Sequence, residues 1–300
     1  MMELTALQQK MPAVCELRYN EPLHLHTSFR IGGNAEIMAF PKTADELSAI
    51  LKASNLLDTT PYILGAGTNV LAPDAGIDGI VICLKDCLDG MEQLDDHRIR
   101  IMAGVTMTRA AVFAANLGLS GLEFAHGIPG TVGGGVYMNA GAYSGEISQV
   151  FESAQIMDRN GEIYTRNREE MDFSYRHSIL ENSSDILISA TFALEPKPVE
   201  QIRSQMKDLM AKRSASQPLD LPSAGSAFKR PCNAYAAALI DQAGLKGLSV
   251  GGAAVSEKHA GFIVNTGGAT ASDVQELLRI VAERVYSMSG IRLEPEVRIW

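Results

Sequence analysis

The chain has 300 residues, 46% of them hydrophobic and 20% charged, the balance of a globular protein with room for two cores rather than of a disordered or fibrous one. Its longest unbroken hydrophobic run is seven residues, 234–240, against the roughly 20 that span a bilayer, which excludes a transmembrane helix. With 26 basic and 35 acidic residues the net charge is −9; a sequence-independent grip on nucleic acid is excluded, and an anionic ligand must be met by locally placed cations.

The first ten residues carry an acid early and lack both a basic n-region and a continuous apolar stretch, so they do not read as a secretory signal, and a cytoplasmic address is expected. Thr43-Ala44-Asp45-Glu46 reads as a capping box opening an amphipathic helix. Tyr62-Ile63-Leu64 predicts a strand running into a glycine loop; further strands are expected at 80–84 and at Arg98-Ile99-Arg100-Ile101, which alternates with period two. A helix from about Thr108 should end near Gly118. Residues 151–158, the Asn160-Gly161 turn and residues 162–165 form the strongest hairpin signal, and 185–194 reads as another strand. After Glu195-Pro196-Lys197-Pro198 a charged helix covers 199–214, and a domain boundary is placed there. Beyond it come a helix at 234–243 closed by Gly244, a strand around 262–264, a helix over 273–288 with a Ser272-to-Gln275 capping box and a stop at Gly290, and an extended C-terminal stretch.

Several segments carry candidate chemistry. Gly65-Ala66-Gly67-Thr68-Asn69 follows a strand, where backbone amides can cradle phosphate oxygens. It is not a dinucleotide fingerprint: the third glycine position is Val70, and Pro73 and Gly76 replace the expected helix. Taken alone it reads equally as a tight turn. Gly127-Ile128-Pro129-Gly130-Thr131-Val132-Gly133-Gly134-Gly135 is more specific, since five glycines in nine residues suit a backbone that passes against a bulky ligand or takes positive φ. Two such loops about sixty residues apart suggest a large nucleotide cofactor. Ser174-Tyr175-Arg176-His177-Ser178 offers a planar guanidinium suited to a carboxylate or enolate oxygen, or else a surface ion pair. Ser226 lies on a small-residue turn with Lys229 and Arg230 downstream and without a nucleophile elbow. Glu294-Pro295-Glu296 puts two carboxylates on one face of an extended stretch. Cys15, Cys83, Cys87 and Cys232 form no CxxC pair, and His24-x-His26 has no completing ligand, so buried thiols and no metal site are expected.

Together these words resemble one family, the UDP-N-acetylenolpyruvoylglucosamine reductases (MurB). The matching segments are His26-Thr27-Ser28-Phe29-Arg30-Ile31-Gly32-Gly33, Gly121-Leu122-Glu123-Phe124-Ala125 running into 127–141, then 174–178, 217–229, 251–265 and 293–298, in family order over most of the chain. The length and the Tyr-Arg-His-Ser form resemble the shorter, second type. The first loop departs from the more usual Gly-Gly-Gly-Ser-Asn, and His126 stands where a small residue is usual.

The resemblance implies an α+β protein with an FAD-binding, vanillyl-alcohol-oxidase-type (PCMH-like) fold in two subdomains, 1–84 and 85–197, and a C-terminal α+β substrate domain, 198–300, whose last residues can return to the first subdomain. It implies non-covalent FAD, with NADPH as hydride donor. The substrate is a UDP-sugar whose enolpyruvyl double bond is saturated, a cytoplasmic step of peptidoglycan synthesis performed by a monomer. By motif it assigns Arg176, Ser226 and Glu296 as catalytic. Gly65, Ala66, Gly67, Thr68, Asn69, Gly127, Ile128, Pro129, Gly130, Thr131, Gly133 and Gly134 would bind the cofactor, and Tyr175, Lys229 and Arg230 the substrate. Lys212, Arg213, Lys229, Arg230 and Lys258 are the candidate cations for its diphosphate. Two rivals are an FAD-dependent alcohol or hydroxyacid oxidase on the same fold, which has no need of the Ser226 loop, and a flavin-binding module without turnover, whose flavin NADPH cannot reduce.

Overall fold

The structure is a computed structural model and describes residues 5–300; the first four residues of the N-terminal stretch read above lie outside it. The chain divides into two compact units. The first comprises residues up to 20 with 36–66 and 78–212, and the second comprises 21–35, 67–77 and 213–300.

The first unit contains two sheets, and the core under the first takes in Met157, Ile186 and Ile188 from the second. One sheet orders its strands Glu16–Pro22, Asn34–Phe40, Ile77–Cys83 and Tyr62–Leu64, the last pair parallel. The helix Ala44–Leu56 covers it, burying Leu47, Ile50 and Leu51 at helical spacing among Ile37, Ala39, Ile80 and Ile82. Its cap is half of what the sequence suggests: Thr43 accepts from the Glu46 amide, while the Glu46 carboxylate takes the Lys42 amide instead of the Thr43 one. The second sheet is antiparallel, in the order Ile163–Asn167, Phe151–Met157, Ile186–Ala193, Arg98–Met102, Met91–Gln93. Asn160-Gly161 turns the hairpin as expected, with Gly161 at φ +77°. The helices Met107–Asn116 and Val132–Tyr137 add buried residues to this sheet's core.

In the second unit an antiparallel sheet runs in the order Ser223–Ser226, Phe262–Asn265, Ala253–Val255, Ser249–Val250. The helix Ala271–Ser289 lays Val274, Leu277, Leu278, Val281 and Val285 into the core shared with Ala236–Gln242. It starts one cap earlier than read: Thr270 and Asp273 form the capping box, not Ser272 and Gln275. Gly290 closes it at φ +72°. Asp74, from the 67–77 segment, accepts the Ala271 and Ser272 amides. The C-terminal Arg298–Ile299 pairs in parallel with Val70–Leu71. Among the described residues no helix is long and apolar enough to cross a membrane.

Candidate active site

In the first unit the two glycine loops meet. Leu64 ends its strand, and at Gly65 a Cβ would stand 2.5 Å from Thr131 Oγ1, so only glycine permits this approach. The second loop is stitched to the end of the antiparallel sheet: Met107 N donates to Gly130 O (3.0 Å), Val132 N to Val105 O (2.8 Å) and Gly133 N to Ala103 O (2.9 Å). Its glycines serve three ends. Gly127 and Gly130 take φ +84° and +134°. Gly133 and Gly135 admit Ala103 and Met107, so their use is packing. Gly134 is exposed, and a Cβ there would meet nothing nearer than 3.8 Å. The backbone face at Gly134 is therefore open to a flat or bulky ligand.

The same loop leads to the arginine. Buried Asn139, at φ +42°, donates from Nδ2 to Ser174 O (3.0 Å) and accepts Ser148 N at Oδ1 (2.9 Å). Ser174 and His177 exchange both backbone bonds (3.2 and 3.1 Å), which makes Tyr175-Arg176 the two central residues of a tight turn. Arg176 sits at φ +56°, costly for a non-glycine residue and typical of functional positions. Its Nη2 donates to Gly141 O (3.2 Å), and its Cζ lies 5.0 Å from the centroid of the half-exposed Tyr175 ring. Ser178 Oγ donates to Tyr137 O (2.8 Å), and His177 Nδ1 is 2.6 Å from Glu181 Oε2. Asn139 lies within the 127–141 stretch of the sequence, which assigns it no role of its own. Its one signal is an asparagine, tolerant of left-handed backbone, at the exit of a glycine loop.

The second unit brings Ser226 and Glu296 onto neighbouring segments. Ser226 ends a strand whose register slips between Ser223 and Ser226, with Gly225 at φ +75° in open space; such a bulge re-aims the following side chain. Ser226 is exposed and Glu296 half-buried. Residues 227–229 then run antiparallel to 294–296: Glu296 N donates to Ala227 O (2.9 Å), Phe228 bridges Pro295, and Lys229 N donates to Glu294 O (2.8 Å). The tail of the first glycine loop belongs to this unit too. Gly67, at φ +61°, lies so close to His26 O that a Cβ would stand 2.1 Å from it. Ser28 N donates to Gly67 O (3.0 Å) and Ser28 Oγ to Ser223 O (2.6 Å), which gives the 26–33 word a structural use.

The candidate cations differ in burial and in the partners they hold. Lys229 Nζ is ion-paired with Glu294, Lys258 Nζ donates to Ser214 O (2.7 Å), and Arg213 is 5% exposed with Nη1 on Gln217 (3.2 Å). Arg230 is exposed, its Cζ 4.2 Å from the Tyr235 ring centroid. Of the four cysteines expected to be buried, Cys83 and Cys87 are, Cys15 is half-buried and Cys232 is exposed; burial pushes the Cys83 thiol up to about 11, consistent with an inert core cysteine. Among the described residues no group of three or more metal-ligating side chains forms.

The FAD-binding-domain family profile matches residues 35–167, a span that contains both glycine loops. The abutting loops and the open face at Gly134 are what a dinucleotide cofactor needs, so the residues present fit the group. This is an FAD-dependent oxidoreductase. The profile described as the C-terminal domain of UDP-N-acetylenolpyruvoylglucosamine reductase matches residues 217–300. Over 284 residues the chain is 45% identical to the UDP-N-acetylenolpyruvoylglucosamine reductase of Lactobacillus acidophilus, covering 95% of each chain. To the same enzyme of Agathobacter rectalis it is 46% identical over 294 residues, 94% of this chain and 93% of that one. It superposes on the crystal structure of the Thermus caldophilus UDP-N-acetylenolpyruvylglucosamine reductase with a TM-score of 0.78 at 34% identity, covering 95% of this chain and 98% of that one. The chain belongs to the UDP-N-acetylenolpyruvoylglucosamine reductase (MurB) family.

Proposed function

We propose that the protein catalyses the NADPH-dependent, FAD-mediated reduction of UDP-N-acetylglucosamine enolpyruvate to UDP-N-acetylmuramate, a cytoplasmic step of peptidoglycan precursor synthesis serving cell-wall biogenesis, acting as a monomer with non-covalent FAD. The observation that carries this reading is the near full-length similarity to reductases of that name, joined to the backbone pairing of 227–229 with 294–296, which follows directly on Ser226. FAD, when bound, supplies the hydride chemistry between NADPH and the enolpyruvyl double bond.

The chain's own residues do the rest. Residues 65–69 and the 127–134 loop hold the cofactor, through backbone and through the open face at Gly134. An enol ether bearing a carboxylate is a poor hydride acceptor until that carboxylate is polarised. The Arg176 fork, held in its turn by Ser174, His177 and Asn139, meets the carboxylate, and Glu296 assists. Ser226 Oγ gives its proton to the substrate α-carbon: the O–H bond breaks, a C–H bond forms, and Lys229 and Arg230 downstream favour the developing alkoxide. Tyr175, Lys229 and Arg230 contact the UDP-sugar, and its diphosphate is met by cations among Lys212, Arg213, Lys229, Arg230 and Lys258. The division into 1–84, 85–197 and 198–300 rests on the family resemblance alone; the hydrophobic cores cross those bounds, with Phe29, Ile31 and Leu71 packing in the C-terminal core and Ile202 and Met206 in the core of the antiparallel sheet.

A positioned general acid contributes roughly 10²- to 10⁴-fold. Ser226→Ala should slow reoxidation of pre-reduced enzyme by substrate by that order in single-turnover stopped flow. Reduction by NADPH should stay near the parent rate, and Ser226→Cys, a stronger acid, should recover part of the loss. An alanine variant that forms saturated product at the parent rate would remove Ser226 from the role.

A further inference from the structure

The last residue of the first glycine loop is committed to a different partner from the one its position suggests. Asn69 Nδ2 donates to the main-chain oxygen of Glu296 (3.1 Å), and Asn69 O accepts Arg298 N (2.9 Å). Glu296 N, in turn, donates to Ala227 O (2.9 Å) on the segment that continues from Ser226. Both backbone groups of Glu296 are thus held, one from the Ser226 side and one by the Asn69 amide. Pro295 just before it has no N–H to add, and the parallel pairing of Arg298–Ile299 with Val70–Leu71 extends the same seam.

We propose that Asn69 is a positioning residue for Glu296: its side chain fixes the main chain that carries the carboxylate relative to Ser226, while its contribution to the cofactor is confined to the backbone of the loop. The assignment rests on the reading of Glu296 as a catalytic group. A carbonyl deprived of this donor leaves the peptide after Glu296 free to tilt, and a misplacement of about 1 Å costs on the order of 10²-fold in rate.

The test compares Asn69→Ala, Glu296→Gln and the double variant, each loaded with FAD. Asn69→Ala should carry the parent FAD stoichiometry and visible spectrum and be reduced by NADPH at the parent rate, yet be reoxidised by the enolpyruvyl substrate about ten- to hundredfold more slowly. In the Glu296→Gln background, adding Asn69→Ala should cost nothing further, a non-additivity that a merely structural role would not produce. Asn69→Asp keeps the shape but presents no amide donor; it should be as slow as alanine, and it carries the test should alanine fail to fold. Lost or spectrally altered flavin in both variants would make the side chain a flavin ligand and overturn the proposal. So would an equal slowing by Asn69→Ala in the parent and Glu296→Gln backgrounds. A Glu296→Gln enzyme running at the parent rate would instead overturn the carboxylate's own role, and this assignment with it.

Discussion

Arg176 shows what a single backbone angle can do. At φ +56° the turn is strained, and the strain is offset by the paired Ser174 and His177 backbone bonds and by Asn139 beneath. Lysine at this position keeps the charge but loses the planar pair of donors. Arg176→Lys should therefore leave reduction of the flavin by NADPH intact and slow transfer to substrate about ten- to hundredfold, the value of a charged hydrogen bond; equal loss in both half-reactions would mark a structural role. His259 gives a pH signature in the second unit. Burial, aided by Lys246, pushes its imidazole below the ordinary histidine range, and Gly261 N donates to its Nδ1 (3.1 Å). The folded state thus binds fewer protons than the unfolded one, so this stability is present above the unfolded value of about 6.5 and is lost as pH falls towards the folded value. Thermal unfolding across that window should show the slope, and His259→Asn, which retains an acceptor, should flatten it. An unchanged slope in the variant would assign the acid sensitivity elsewhere.

At the scale of elements, the second glycine loop separates packing from recognition. Gly134→Ala adds a methyl where the protein itself has space, so the flavin-free variant should keep or slightly raise its melting temperature while its affinity for FAD falls. Gly65→Ala drives a methyl onto Thr131 and should lower both. An unchanged FAD affinity in Gly134→Ala, measured by flavin titration, would place the cofactor off this face. This loop also marks where sequence reading stops. Its flanking strands, the Asn160-Gly161 hairpin and the Gly290 helix stop are local signals and are all present. The helix Val132–Tyr137 is not legible, because three of its six residues are glycines with poor helical propensity; amide bonds to Ala103 and Val105 and burial of Val132 and Val136 impose it. The sequence pattern places the Thr270 cap two residues late for a similar reason, since Ser272 and Gln275 satisfy it as well as Thr270 and Asp273 do until Asp74 accepts the Ser272 hydroxyl. Arg176, Ser226 and Glu296 stand in recognisable words. Asn139, Ser28 and the side chain of Asn69 act on main-chain oxygens and nitrogens from distant segments, and no short-range pattern announces that.

Across the whole molecule, an acidic chain of net charge −9 is proposed to handle a UDP-linked substrate by concentrating a few cations near its reacting groups rather than by a general positive field. The oxidase and the passive flavin module, the two rival readings, part from the reductase over one behaviour. Purified protein should be yellow with non-covalently bound flavin. Under anaerobic conditions NADPH should bleach the visible flavin absorbance, and UDP-N-acetylglucosamine enolpyruvate should restore it with formation of UDP-N-acetylmuramate in equal amount. Flavin that NADPH cannot bleach, or bleached flavin that oxygen restores and the enolpyruvyl substrate does not, would contradict the assignment.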